Sequence, residues 1–314
     1  MTRAETDPPF VSVIVPVRDG EAIIADCLDA VLATDYPPNR REILVVDNGS
    51  RDGTTALIQA RPVRYLRERK RGVSNARNHG IAASRGEILA FVDADCVVER
   101  QWLTELVRAF DDPEVGAVAG DLQHVAPRTA AERQAARLLG NWQRFAFTSN
   151  PAYPITANAA YRRDVLDRIG GFDPQMTRAQ DVELGLRFQE GSGRRLAYAE
   201  RATARHRNRS TQLGFFRQQL GWAYGAGLVG AKFEAMGGDP VRPPHLREIG
   251  RTARGLGIVL LAGLRRRGRR EWIEDAWFDL LRQIAWWAGA RAGLRRGARI
   301  WRPATVAAPP DRSA

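Results

Sequence analysis

Between residues 11 and 95 the chain alternates short β-rich apolar runs with helical patterns, and three of those runs end in polar clusters. Val11–Val17, with Pro16 near its end, reads as a buried strand. Asp19-Gly20 breaks it, and Ile23, Ile24, Cys27, Leu28, Val31 and Leu32 then recur as one face of an amphipathic helix ended by Tyr36-Pro37-Pro38. Ile43–Val46, Val63–Leu66 and Ile88–Val92 are the next strands. A short helix around Thr54–Gln59 follows the second strand, and a longer one, capped by Ser74 and running to about Ala83 before Gly86, follows the third. Strands and helices alternating at this spacing predict an α/β fold with a parallel sheet. Such sheets bind ligands beyond the carboxyl ends of their strands. Arg18-Asp19, Asp47-Asn48 and Asp93-Ala94-Asp95 all fall there, so one edge of the sheet is the candidate site.

The 314 residues suit one large or two modest domains. Cys27 and Cys96 lack any Cys-x-x-Cys spacing, which excludes a disulfide scaffold and a cysteine-built zinc site. Met1–Pro9 has no apolar core of a signal peptide, so the chain is expected in the cytoplasm. No run of eighteen apolar residues occurs, and no single helix is expected to span a bilayer. Past Gly120 the pattern predicts a helix over Ala130–Phe147, an extended piece at Ala159–Tyr161 and a helix at Asp164–Ile169. Val182, Leu184, Leu186 and Phe188 alternate by two, which by itself suggests a strand. From Leu213 the chain reads as helices. Residues 251–302 carry +9 of the net charge of +12 and five of the eight tryptophans.

Asp93 and Asp95 lie two apart at a strand end, where two carboxylates can share a hard cation such as Mg²⁺ or Mn²⁺, or simply cap a helix starting near Glu99. The loop Asp47–Thr54 can pair with the edge of a base, or serve as a turn and N-cap. No Gly-Lys-Ser/Thr follows, so Walker-type ATPase chemistry is not expected.

Taken in order, Val11–Val17, Val45–Thr54 (Val-Val-Asp-Asn-Gly-Ser-Arg-Asp-Gly-Thr), Asn75–Gly80 (Asn-Ala-Arg-Asn-His-Gly), Gly86–Asp95 and Gly170-Gly171-Phe172-Asp173 make a chain that resembles the family-2 glycosyltransferases of the GT-A fold. The resemblance covers roughly residues 10–210. It implies a Rossmann-like, mainly parallel sheet flanked by helices over 10–212, with a nucleotide-binding half (10–120) and an acceptor and catalytic half (121–212), before an Arg/Trp-rich helical extension over 213–314. By the same resemblance, Pro16 and Glu21 line the nucleotide pocket, Asp47 and Asn48 contact the base or ribose, and Arg77 reaches the base. Asn48 departs from the more frequent Asp. Asp93 is expected to face the ribose and Asp95 to bind a divalent cation on the diphosphate, with His206 as a further metal ligand. Gln180-Asp181-Val182-Glu183-Leu184 matches the acidic motif that carries the catalytic base, which falls to Asp181, and the family places this segment on a helix. Asn158, Gln180 and Glu183 match positions around the sugar and acceptor.

The implied reaction is an inverting transfer of a sugar from a nucleotide-sugar donor to a hydroxyl of a glycan or lipid-linked acceptor. In the tail, Ile273, Trp277, Leu280, Leu281, Ile284 and Ala288 share one helical face, near the basic cluster Arg265–Arg270. Such a helix fits an anionic membrane surface, through residues 251–302, or packs on the protein. A second reading is a protein that binds nucleic acid or membrane through this basic tail; the tail has no recognisable DNA- or RNA-binding motif and its apolar face would need covering, so no nucleic acid is expected as a partner. A nucleotidyltransferase is the third reading, but Val17-Arg18-Asp19-Gly20-Glu21 is acidic where that class needs a phosphate-gripping loop.

Overall fold

A computed structural model describes residues 7–236 and 270–301, with the side chains of 270–273 excepted. The chain divides into two compact units, Met1–Thr211 and Gln212–Ala314.

The first unit is built on one eight-stranded sheet, β1 (Val11–Val17), β2 (Arg41–Asp47), β3 (Arg64–Arg67), β4 (Ile88–Val92), β5 (Cys96–Val98), β6 (Val115–His124), β7 (Asn158–Arg162) and β8 (Arg195–His206), in the order β3-β2-β1-β4-β7-β6-β8-β5. β3, β2, β1 and β4 are all parallel, with helices α1 (Ile24–Leu32), α2 (Thr54–Gln59) and α3 (Val73–Ala83) in the connections. β7 runs antiparallel to both β4 and β6, β8 returns parallel to β6, and β5 pairs antiparallel with β8. The chain winds outward from β1 to β3 and then crosses to β4 on the other side, so β1 and β4 flank the switch point where open α/β sheets bind ligands. Register puts Val17 level with Asp47, and Asp47 level with Arg67, so the polar ends of the strands align.

β1 is buried along its whole length because it has cover on both faces. Val11, Val13, Val15 and Val17 join one core with Cys27, Leu28 and Val31 of α1 and Trp102, Leu103 and Leu106 of α4 (Trp102–Arg108). Ile14 joins a second core on the opposite face, with Val46, Phe91, Tyr161, Phe172, Leu184 and Phe188. Phe91 is central there, packed edge-on to Tyr161 and Phe172 with ring centroids 6.1 and 5.5 Å away.

Several local expectations are corrected. The helix over Ala130–Phe147 is two, α5 (Ala130–Leu139) and α6 (Trp142–Thr148), because Gly140 adopts a positive φ and Asn141 caps the second. Ser74 lies inside α3 rather than capping it, and its hydroxyl donates to the Met176 carbonyl at 3.0 Å. After Asp95 comes β5, and α4 begins only at Trp102. As expected, a helix α7 (Arg163–Ile169) precedes α8 (Gln180–Gly191), and α8 is the helix that the resemblance implies, against the strand that its alternating apolar residues suggest on their own. The alternation contains two i,i+4 pairs: Leu184 and Phe188 are buried, while Val182 and Leu186 are half-buried beside them.

In the second unit, α9 (Gln212–Ala235) packs on α10 (Arg270–Ile300) through small residues. A Cβ at Gly289 or Gly293 would strike the Leu220 or Tyr224 carbonyl, and one at Gly297 would meet Ala231. Phe215 and Phe278 close one end of this seam edge-on, 5.1 Å apart. Trp277 and Ile284 remain 40% and 37% exposed, so the expected apolar face is not the packed one. Arg265–Arg269 and the rest of residues 251–269 lie outside the described residues, as does residue 302. Among the described residues no helix is long and apolar enough to cross a membrane.

Candidate active site

The loops after β1 and β2 are tied to each other. The Asp19 and Gly20 amides donate to the Ser50 and Thr54 hydroxyls at 2.9 and 2.8 Å, and the Arg51 amide returns a bond to the Asp19 carboxylate at 2.9 Å. Glu21, exposed, receives the Gly53 amide at 3.1 Å, while its own amide donates to Asp52 at 3.1 Å. Asp19 holds a left-handed φ of 50°, a strained setting for a residue with a side chain. Pro16 lies just inside, buried in β1 opposite Val46.

Asp47 is 2% exposed and accepts from the Ser50 amide at 2.8 Å, the Thr55 hydroxyl at 3.0 Å and the Tyr65 hydroxyl at 3.3 Å. Burial alone would raise its pKa; the hydrogen bonds reverse that and hold the carboxyl below its usual range. Asn48 is engaged differently. Its amide nitrogen donates to the Lys70 carbonyl at 2.7 Å and its oxygen accepts from the Gly72 amide at 2.8 Å. The side chain therefore closes the loop before α3, and its departure from Asp is explained by a carbonyl that needs a donor.

Asp93 and Asp95 are held by different partners. Arg77, 4% exposed in α3, donates to the Asp93 carboxylate at 2.7 Å and lies 5.3 Å from the Phe172 ring centroid. Asp95 has other partners, with His206 Nε2 and Arg209 Nη2 each 3.5 Å from its carboxylate. Burial would raise the Asp95 pKa, and the positive charges beside it bring it below the ordinary value. Burial would lower the His206 pKa, and the Asp95 charge raises it.

α3 also clasps the segment leading to α8. Asn78 donates to the Phe172 carbonyl at 2.7 Å and accepts the Phe172 amide at 2.9 Å. Gly170 and Gly171 turn there with φ of 87° and 61°, and a Cβ at Gly171 would lie 3.0 Å from the Asn78 oxygen. Ala179 is left-handed at φ 54° immediately before α8, which opens with Gln180 and Asp181. Burial raises the Asp181 pKa above its ordinary value, against the pull of the Arg77 charge and the Val182 amide; the Asp93 charge adds to the rise. Burial thus outweighs the start of the helix, which favours the charged form. Nearby polar atoms are buried without hydrogen-bond partners: Arg77 Nε, Tyr161 Oη and Gln180 Nε2.

Two expected site residues are placed elsewhere. Asn158 does not line the cleft: it is fully buried, accepts from Trp102 Nε1 at 2.7 Å and donates to the Asp121 and Ala202 carbonyls at 2.7 and 2.8 Å. Glu183 is a 2.6 Å ion pair with Arg187, whose guanidinium also holds the Gly171 carbonyl at 2.7 Å. Both work as braces. Sequence reasoning missed Arg209 and Tyr161, as well as Trp142, whose ring centroid is 5.3 Å from that of His206. For Arg209 a signal existed, in the basic run that directly follows His206.

The residues present fit a divalent cation. His206 is nearly buried, its Nδ1 lacks a partner, and a carboxylate with an imidazole is a donor set suited to Mn²⁺. Among the described residues no group of three or more ligating side chains occurs, so such an ion would take its remaining ligands from phosphate and water.

The model for glycosyl transferase family 2 matches residues 12–170. Glycosyltransferase AglE of Haloferax volcanii is 37% identical over 182 residues, covering 55% of this chain and 59% of that one. The probable glycosyltransferase YdaM of Bacillus subtilis is 28% identical over 250 residues, covering 72% and 57%. The chain thus spans somewhat over half the length of these relatives. Among solved structures, the mannosyltransferase PcManGT from Pyrobaculum calidifontis, in complex with GDP-Man and Mn²⁺, superposes with a TM-score of 0.60 at 22% identity, covering 88% of this chain and 87% of that one. That likeness carries the fold.

Proposed function

The chain belongs to glycosyl transferase family 2, and from that premise we propose that it is an inverting glycosyltransferase, moving a sugar from a nucleotide-diphosphate-sugar to a hydroxyl of a glycan or lipid-linked acceptor in envelope or exopolysaccharide synthesis. The observation that carries this reading is the gathering of Asp47, Arg77, Asp93, Asp95 and Asp181 around the carboxyl ends of β1, β2 and β4.

Asp47, with Pro16 near the end of β1 and Glu21 on the loop after it, receives the nucleoside, and Asn48 shapes that pocket by fixing residues 68–72. Arg77 holds Asp93 in place toward the ribose. A divalent cation, Mg²⁺ or Mn²⁺, held by Asp95 and His206 would neutralise charge on the departing diphosphate. Asp181 accepts the proton of the acceptor hydroxyl as that oxygen attacks the anomeric carbon, and its raised pKa makes it a stronger base than an ordinary aspartate. No second carboxylate is assigned as a nucleophile, in keeping with a single displacement. The test is release of nucleoside diphosphate from UDP-, GDP-, dTDP- and CDP-sugars in the presence of Mn²⁺, read with wild type and Asp181→Asn. Release by wild type alone supports the assignment, and equal rates in both contradict it.

A second reading concerns location. Trp277 and Ile284, seven residues apart on α10, are exposed with Leu281 half-buried between them, an apolar stripe that suits peripheral attachment to an anionic membrane on the cytoplasmic side. Flotation with phosphatidylglycerol vesicles tests it: Trp277→Ser with Ile284→Ser should abolish binding, and unchanged flotation would refute it.

A further inference from the structure

Beside the Asp95–His206 pair lies a cavity of about 340 Å³, within the range of small-ligand sites. Arg128, Arg207, Arg209 and Glu132 line it; Arg207 is paired with Asp26, and Arg209 lies 3.5 Å from the Asp95 carboxylate. Glu132 belongs to the cap of α5, where its carboxylate accepts the Arg128 and Thr129 amides at 2.7 and 2.8 Å. The cavity is fixed to the pair through the backbone: the Arg207 amide donates to the Asp95 carbonyl at 2.9 Å, and the Val125 amide to the His206 carbonyl at 3.0 Å. Asn208 also lines it, with its nitrogen 3.1 Å from His124 Nδ1 and its oxygen buried without a partner.

These features ask for one kind of ligand. Guanidinium groups on one wall match the paired oxygens of a phosphate ester or carboxylate. The orphan Asn208 oxygen asks for a hydroxyl donor close to that anion. An acidic sugar offers both. None of the residues assigned to the donor nucleoside lines this cavity, and all of its walls except Ile23 come from residues 125–210.

Resting on the transferase reading above, we propose that this cavity is an acceptor subsite that holds an acidic sugar, carrying a phosphate ester or a carboxylate, next to the transfer centre. Arg128 and the Arg207–Arg209 segment grip the anion, and Asn208 Oδ1 accepts a sugar hydroxyl. The subsite would select charged glycan acceptors over neutral ones.

Titration calorimetry on the full chain tests this, with galactose 6-phosphate, glucuronate, neutral galactose and octyl phosphate as probes, and with UDP and GDP plus Mn²⁺ in parallel. Galactose 6-phosphate or glucuronate should bind while galactose does not, and which of the two binds identifies the anion. Arg128→Glu should weaken that binding about tenfold or more, the loss expected for a charge-assisted contact, and leave nucleotide binding unchanged. Failure of both acidic sugars, or tighter binding of octyl phosphate than of galactose 6-phosphate, would overturn the assignment. Equal weakening of nucleotide binding in Arg128→Glu would overturn it as well, by handing the cavity to the donor diphosphate. Loss of nucleotide binding in the wild type would instead strike the transferase reading itself.

Discussion

The Arg77 guanidinium donates to the Asp93 carboxylate at 2.7 Å, joining the middle of α3 to the residue that follows β4. Two motifs distant in sequence become one wall of the site through this contact. Arg77 is almost entirely buried, Asp93 is one-third exposed, and the arginine charge is also felt by Asp181. Replacing Arg77 with Met should leave Asp93 without its partner and cost about 1–3 kcal/mol of stability. It should also weaken nucleoside diphosphate binding, and chemical denaturation with calorimetry on the same variant reads both.

Asp181 should separate activity from stability. As the catalytic base, Asp181→Asn should lower kcat by at least about 100-fold while nucleotide affinity stays near wild type. Its folded pKa lies above the unfolded value, so the stability linked to its proton is full below the unfolded pKa and lost as pH rises through the folded one. At neutral pH the carboxylate is therefore a destabilising group, and the Asn variant should melt higher than wild type. The acid limb of the wild-type rate profile should lie above the pH of an ordinary aspartate. A lower Tm together with lost nucleotide binding would mark Asp181 as a structural residue.

Asn48→Asp restores the more frequent family residue, yet should harm this chain. A carboxylate cannot donate to the Lys70 carbonyl, now 2.7 Å from the amide nitrogen, and would repel it. A loss of about 1–3 kcal/mol in urea denaturation is expected, without a change in base preference. A neutral effect on stability with altered preference among nucleotides would assign Asn48 to the base itself.

Gly293 faces the Tyr224 carbonyl so closely that no side chain fits between α9 and α10. Gly293→Leu should separate α9 from α10 and lower their helical signal, while the sheet unit keeps its nucleotide binding. Unaltered circular dichroism would argue against the packed pair.

The first half of the sheet unit was legible because β1, β2 and β4 are short, apolar and largely buried, and because Asp47, Asp93 and Asp95 close or follow them with side chains that have few uses inside a core. The second half was not. β6 and β8 owe their pairing to partners far away in sequence, and the buried positions of β8 are Ala199, Ala202, Ala204 and His206, too small or too polar to stand out as an apolar alternation. Asn158 misled because motif position does not reveal burial; only the Trp102 indole and two carbonyls around it show a brace. In α8 the periodicity alone points to a strand, since two i,i+4 pairs offset by two mimic one, while the motif match gives the helix. The Gly289, Gly293 and Gly297 spacing was visible in the chain, and its meaning came from the backbones it brings together.

The proposed nucleotide-sugar site is completed at its diphosphate end by a cation on Asp95. The most direct test is a thermal-shift panel of UDP, GDP, dTDP and CDP with Mn²⁺, Mg²⁺ or EDTA, run on wild type and Asp95→Asn. A ligand at one hundred times its dissociation constant adds about 2.7 kcal/mol to stability, well within reach of the method. The account predicts a shift with at least one nucleotide that needs the cation and is absent in Asp95→Asn. A shift that persists unchanged in EDTA and in Asp95→Asn, or no shift with any nucleotide, would contradict it.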